Sequence, residues 1–291
     1  MKALKIIVLA KQVPDTRNVG KDAMKADGTV NRSVLPAIFN PEDLNALELA
    51  LRIKDKYAGS TVTILTMGPG RAAEIIREGL YRGADSGYLV SDRKFAGSDT
   101  LATSYTISQA IRKLAPYDLV VCGRQAIDGD TAQVGPQVAE KLGIPQITYA
   151  EEVIEVNKKD IKIKRRLERG VEVVSTPRPA LITVHSSAPP CRARNAKNLM
   201  KYKHASTVTE MQTEAEDYIK LHKDRPYLDI VEWTVDDLQA DENYLGLNGS
   251  PTKVKKIVNV VFTAKDSKVL TGSDQAIEDL IKELIENHTI G

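Results

Sequence analysis

Short apolar runs alternate with helical patterns over the first half of the chain. Leu4–Ala10 is a nearly continuous apolar run of strand length, ended by Lys11, and reads as a buried strand. Over Pro41–Tyr57, Leu44, Leu47, Ala50 and Leu51 recur at helical spacing and give one apolar face. Asn40 suits the N-cap of that helix and Pro41 its first position. The pattern then predicts a strand at Thr61–Met67, a helix over Arg71–Tyr81 ended by Gly83, and a short strand at Gly87–Val90. Next come a helix capped by Ser98 or Asp99 and running to about Leu114, a strand at Leu119–Cys122, and a helix ending near Gly143. A βαβα series of this kind predicts an α/β fold, a mainly parallel doubly wound sheet with helices on both faces. Ligands in such sheets bind at the carboxyl ends of strands, near the topological switch point. The loops in question are KQVPDT (Lys11–Thr16), MGPGR (Met67–Arg71) and GRQAIDGDTAQVGP (Gly123–Pro136).

The pattern changes after about residue 150. Val153–Val156, Ile161–Leu167 and Val171–Val174 alternate apolar and polar positions, with turns at Asn157–Asp160 and Arg169–Gly170. They predict a small antiparallel extension near residues 151–176. Ala180–His185 returns to a buried strand, and PPCRARNAKNLMKYK leads into a short basic helix. From about Ser206 to Asn259 the chain is polar, with little sustained periodicity, and carries Tyr227, Trp233 and Tyr244. A loop this long is unusual inside a compact domain, so an extended arm that packs on something else is expected. Asp274–Asn287 is a last amphipathic helix. The expected division is an α/β domain at 1–205 and an arm with its terminal helix at 206–291.

Composition narrows the class. Aromatics are 5% of residues, so the core must rest on Val, Ile, Leu and Ala. A net charge of +2 argues against a nucleic-acid binder. The basic cluster Lys162, Lys164, Arg165, Arg166 and Arg169 alternates with apolar residues and reads as a solvated strand face. Cys122 and Cys191 lie far apart, which predicts neither a disulfide framework nor a zinc site and suits a cytoplasmic protein. Cys122 reads as a small buried hydrophobe. The apolar stretch Ile6–Ala10 is too short for a signal peptide, and no run approaches the roughly 20 apolar residues of a membrane span, so no membrane insertion is expected.

Gly123–Pro136 carries the strongest chemical signal. It follows a strand, precedes a helix and is dense in small residues, so its backbone N–H groups can wrap a pyrophosphate. Asp128 and Asp130 would repel a phosphate directly; they suit helix capping or bonds to ribose and adenine. A well-capped helix start without a ligand accounts for the same spacing. MGPGR lets the backbone turn sharply at Gly68 and Gly70 but matches neither Walker A nor the full GxGxxG fingerprint. His185, His204, His222 and His288 are not spaced as ligand pairs, and no catalytic acid–base or nucleophile constellation is found. Two classes remain open from the residues: an electron carrier that holds a nucleotide cofactor, and an adenine-nucleotide sensor domain. The arm favours the carrier.

Several separate motifs, in order, resemble the β subunit of electron-transfer flavoproteins over most of the chain. They are KQVPDT, NPEDLNALELALRIK (Asn40–Lys54), LTMGPG (Leu65–Gly70), GLYRGADSGYLV (Gly79–Val90), GRQAIDGDTAQVGPQVAEKLG (Gly123–Gly143) and the stretch Ile163–Met200. The resemblance implies a heterodimer with an α subunit that carries FAD, with the arm at 206–291 draped on that subunit. In the β subunit the α/β domain holds AMP in ordinary members and a second FAD in electron-bifurcating ones, where NADH docks beside it. The DGDTAQVGP form at Asp128–Pro136 resembles the bifurcating type. That type sends one electron to ferredoxin or flavodoxin and the other to a flavin dehydrogenase. The cofactor contacts it implies are Leu9, Asn40, Asp43, Ile64, Gly68, Gly123, Arg124, Gln125, Ala126, Ile127, Asp128, Gly129, Asp130, Thr131, Ala132, Gln133 and Val134. Arg192–Lys201 resembles the loop that grips acyl-CoA dehydrogenases, but Ala196 stands where the family anchors with Leu. A lactate-type or quinone-linked partner therefore stays open.

Overall fold

The computed structural model describes residues 3–15, 36–252, 269–287 and 289–290. Thr16, His288 and the last residues of the expected arm, 253–259, lie outside them. The strands are β1 (Lys5–Leu9), β2 (Gln12–Pro14), β3 (Ala37–Phe39), β4 (Thr61–Met67), β5 (Ser86–Val90), β6 (Leu119–Gly123) and β7 (Gln146–Val156), then β8 (Asp160–Leu167), β9 (Gly170–Pro177), β10 (Ala180–Val184), β11 (Ser206–Thr207) and β12 (Asp229–Trp233). The helices are α1 (Pro41–Lys56), α2 (Ala73–Arg82), α3 (Thr100–Lys113), α4 (Val134–Leu142) and α5 (Ala196–Tyr202), then α6 (Val208–Met211), α7 (Glu216–Asp224), α8 (Val235–Leu238) and α9 (Asp274–Glu286).

One sheet runs β11-β12-β5-β4-β1-β6-β10-β7-β8-β9, and β2 and β3 form a separate small pair. Every neighbouring pair from β11 to β7 is parallel. Within this sheet the antiparallel pairs are β7–β8 and β8–β9, and the separate β2–β3 pair is antiparallel too. The chain fills β4 and β5 on one side of β1, then crosses to β6 on the other, so the switch point lies between β1 and β6.

The strands at the centre are buried on both faces, which is why they read as largely apolar runs rather than as strict alternations. Ile6, Val8, Val62 and Ile64 face the core under α1 and α2, with Leu47 and Leu51. Ile7, Leu9, Leu65 and Val120 face the opposite core, with Ile107 and Ile111 of α3 and Val138 of α4. The expected doubly wound α/β sheet is therefore observed.

Two expectations are met in detail and one changes. The expected antiparallel extension is present and continuous with the main sheet: β7 begins at Gln146, pairs with β10 and runs on into the hairpin with β8. Its direction shifts at a bulge where Tyr149 has φ 60°. The basic cluster lies, as expected, on an outward strand face, on β8 and the turn after it, with its side chains half-buried or exposed. Arg165 pairs with Glu172 at 3.0 Å, Arg166 with Glu151 at 2.7 Å, and Lys164 with Glu151 at 3.7 Å. Lastly, the chain after Ser206 is not a coreless arm over its first part. β11 and β12 extend the sheet beside β5, and Trp233, Val235, Leu238 and Leu245 join the core over α3. The Trp233 ring packs on Tyr88 with centroids 4.6 Å apart. Tyr227 and Tyr244 remain largely exposed. Among the described residues α9 has none that is buried, and Ile277, Ile281 and Ile285 are exposed.

Candidate nucleotide cleft at the switch point

A cleft of about 1260 Å³ opens at the carboxyl ends of β1, β4, β5 and β6. Its floor is Leu9, Leu65 and Cys122, three side chains at the ends of central strands. One wall is the loop Gly123–Gln133 and the start of α4, and another is the turn Met67–Gly70. The remaining wall comes from Ser91–Asp99 after β5 and from Val208, Thr209, Glu232 and Thr234.

The loop after β6 is held from behind by the first turn of α1. Asp43 accepts hydrogen bonds from the N–H of Lys11 and of Gly123, both at 2.9 Å, and so ties the ends of β1 and β6 together. Burial pushes the Asp43 carboxyl up to about 7, against the opposing pull of these hydrogen bonds. Glu42 accepts from the Gln125 N–H at 3.1 Å and pairs with Arg124 at 2.9 Å. Asn40 donates to the Gln125 carbonyl at 2.8 Å and accepts from the Ile127 N–H at 3.2 Å. Gly123 must be glycine here: a Cβ would stand 2.6 Å from Asp43 Oδ1 and 2.7 Å from the Glu42 carbonyl carbon.

Further along, the backbone reverses through left-handed residues, Asp130 at φ 49° and Ala132 at φ 52°. Left-handed non-glycine residues are costly, and they concentrate where a ligand site holds them. The N–H groups of Thr131, Ala132, Gln133 and Val134 make no hydrogen bond within the described residues. No side chain caps α4, whose N-cap is Gln133. A run of free N–H groups at an uncapped helix start suits a phosphate.

Thirteen of the expected contacts line the cleft: Leu9, Asp43, Gly68, Gly123, Arg124, Gln125, Ala126, Gly129, Asp130, Thr131, Ala132, Gln133 and Val134. Four do not. Ile64 is fully buried under α2, on the opposite face of β4 from Leu65. Asn40 is fully buried, with its side chain committed to the loop rather than to capping α1. Ile127 lies behind the cleft wall, where its N–H is held by Asn40. Asp128 pairs with Lys11 at 2.7 Å, and Asp130 accepts from Gln125 Nε2 at 2.8 Å, so neither caps a helix. MGPGR does supply a wall, through Met67, Gly68, Pro69 and Gly70.

Two parts of the site were missed in the sequence. The loop after β5 obeys the same rule of strand carboxyl ends, which points to Ser91–Asp99. Glu232 and Thr234 gave no signal, because β12 was not recognised as a strand. Among the described residues no cluster of His, Cys, Asp or Glu could hold a metal ion. Cys122 is buried beneath the cleft and burial pushes its thiol far up, which leaves it a packing residue.

Fold and cleft together define a doubly wound α/β protein with an open cleft at the switch point of its sheet. Comparison with known proteins gives the family: a model described as the electron transfer flavoprotein domain matches residues 27–213. An electron transfer flavoprotein subunit beta of Clostridium acetobutylicum is 44% identical, covering 96% of this chain and 94% of the relative. The acryloyl-CoA reductase electron transfer subunit gamma of Anaerotignum propionicum is 42% identical, covering 99% of this chain and 100% of the relative. Protein FixA of Azotobacter vinelandii is 38% identical, covering 94% and 90%. The chain belongs to the electron transfer flavoprotein family, among its β subunits.

Proposed function

We propose that this chain is the β subunit of a bifurcating flavoprotein heterodimer and that its cleft holds FAD. In this reading NADH is the electron donor. One electron passes to ferredoxin or flavodoxin, and the other reaches a flavin dehydrogenase by way of the FAD of the α subunit. The carrying observation is the size of the cleft. At about 1260 Å³ it exceeds the ~300–1,000 Å³ usual for small-molecule sites and is generous for a mononucleotide. Bound FAD would supply the one- and two-electron chemistry; the protein supplies placement and electrostatics. Thr131–Val134 would face the pyrophosphate with free N–H groups. Leu9 and Leu65 would lie against the apolar parts of the ligand and keep water from them. Lys11 and Arg124 enter the cleft already paired with Asp128 and Glu42, which limits the excess positive charge there.

AMP in the same site, in a non-bifurcating β subunit, is the second reading. The names of two relatives favour the first for the partner: one is an acryloyl-CoA reductase subunit and another belongs to a caffeyl-CoA reductase–Etf complex. A dehydrogenase acting on a CoA ester is accordingly the partner proposed. The setting proposed is the cytoplasm, where NADH and ferredoxin meet. The test is to supply the heterodimer with NADH, ferredoxin and the dehydrogenase with its acceptor. Ferredoxin reduction is expected only while the acceptor is also reduced, one electron to each. Acceptor reduction that proceeds fully without ferredoxin or flavodoxin would favour the AMP form.

A further inference from the structure

The N-cap and first turn of α1 commit three acidic or amide side chains to a segment 80 to 87 residues away in the chain. Asp43, Glu42 and Asn40 take the N–H groups of Gly123, Gln125 and Ile127 in turn, every second residue of the segment that leaves β6 and enters the turn. Asn40 also holds the Gln125 carbonyl, so both ends of its amide are engaged. Asn40 is 0% exposed and Glu42 7%, and neither lines the cleft. Downstream of this stretch lie the left-handed residues Asp130 and Ala132 and the free N–H groups of Thr131–Val134. A backbone turn of that kind persists only where its surroundings over-determine it.

We propose that Asn40 and Glu42 are positioning residues: they template the nucleotide loop from behind and act on the ligand only through Gly123–Val134. The inference rests on the reading of that loop as the nucleotide site, and it moves Asn40 from contact to support. The α1 turn fixes where the loop leaves β6. The donors at Thr131–Val134 then reach the cleft already ordered, and binding does not have to supply that ordering.

The test uses the full chain co-expressed with its α subunit, stripped of nucleotide, and titrated with AMP and with FAD. Hydrogen exchange is read in parallel across residues 123–134 and across β1 and β4. Asn40→Ala is expected to speed exchange within 123–134 about tenfold and to weaken binding by a similar factor. Exchange in β1 and β4 should match the wild type. Glu42→Ala should behave likewise. Glu42→Gln keeps an acceptor for the Gln125 N–H and should bind within about twofold of wild type, a rescue that a general packing role would not give. Should Asn40→Ala fail to fold, the Glu42 pair decides alone. Weakened binding with loop exchange unchanged would overturn the proposal in favour of direct contact, and unchanged binding would overturn it outright. A wild-type complex that binds neither nucleotide would refute the nucleotide reading instead, while the exchange comparison would still judge the clamp.

Discussion

Asp43 shows how a single buried carboxyl can join two strands and leave a pH signature. Its folded pKa is raised from 3.8 to about 7 by burial. The folded state therefore holds this proton more tightly than the unfolded chain does. The associated stability is fully present below about pH 4, falls as the pH rises, and is lost once the pH passes about 7. The full span is on the order of a few kcal/mol. The melting temperature of the wild type, compared with Asp43→Asn from pH 4 to 8, should fall relative to the variant. A difference that stays flat over that range would refute the assignment. Two glycines of the same loop should separate fold from binding. Gly123→Ala forces a Cβ onto the backbone of α1 and should lower stability by about 2 kcal/mol or more. At Gly129 a Cβ meets nothing within 4 Å and the backbone is not left-handed. A side chain there meets no conflict of φ, so Gly129→Val can act only through bulk against a ligand. Its thermal stability should stay near wild type while nucleotide retention falls. Retention at the wild-type level would remove Gly129 from the ligand's surroundings.

At the scale of elements, what was legible in the sequence was whatever wrote its periodicity locally. β1, β4 and β6 are buried on both faces and read as apolar runs. α1 and α3 show their stripes, and Asp99 caps α3 through the N–H groups of Leu101 and Ala102, as its position suggests. β12 was not legible. It is short, carries the acidic residues Asp229 and Glu232 within it, and is buried only because β5 pairs with it from far away in the chain. The role of Asn40 was hidden for the same reason: its position fits an N-cap, but its partners are residues 125 and 127. This changes what a truncation should do. A cut at Ser206 removes β11, β12, Trp233 and the cleft residues Glu232 and Thr234, so it should destabilise the α/β domain itself. A cut after Thr252 spares all of these and removes α9 with its exposed isoleucines. We expect the shorter chain to be poorly soluble or partly unfolded. The longer one should keep its melting temperature, losing only the helical signal of α9, yet fail to co-purify with the α subunit, because it lacks the apolar stripe of α9. Stable heterodimer formation by the longer fragment would place the interface elsewhere.

Over the whole molecule, the cleft is a composite of strand ends from both halves of the sheet and of the segment that follows residue 206. The βαβα pattern located it in principle through the switch-point rule, and the loop Gly123–Val134 marked it in particular. Its breadth came from parts without a local signature, and breadth is what separates a dinucleotide from AMP. The central claim is that this cleft carries FAD of its own. The most direct measurement is to release the nucleotides from purified αβ heterodimer and count them by chromatography. Two FAD per heterodimer, with no AMP, is the predicted result, and one FAD with one AMP would contradict it.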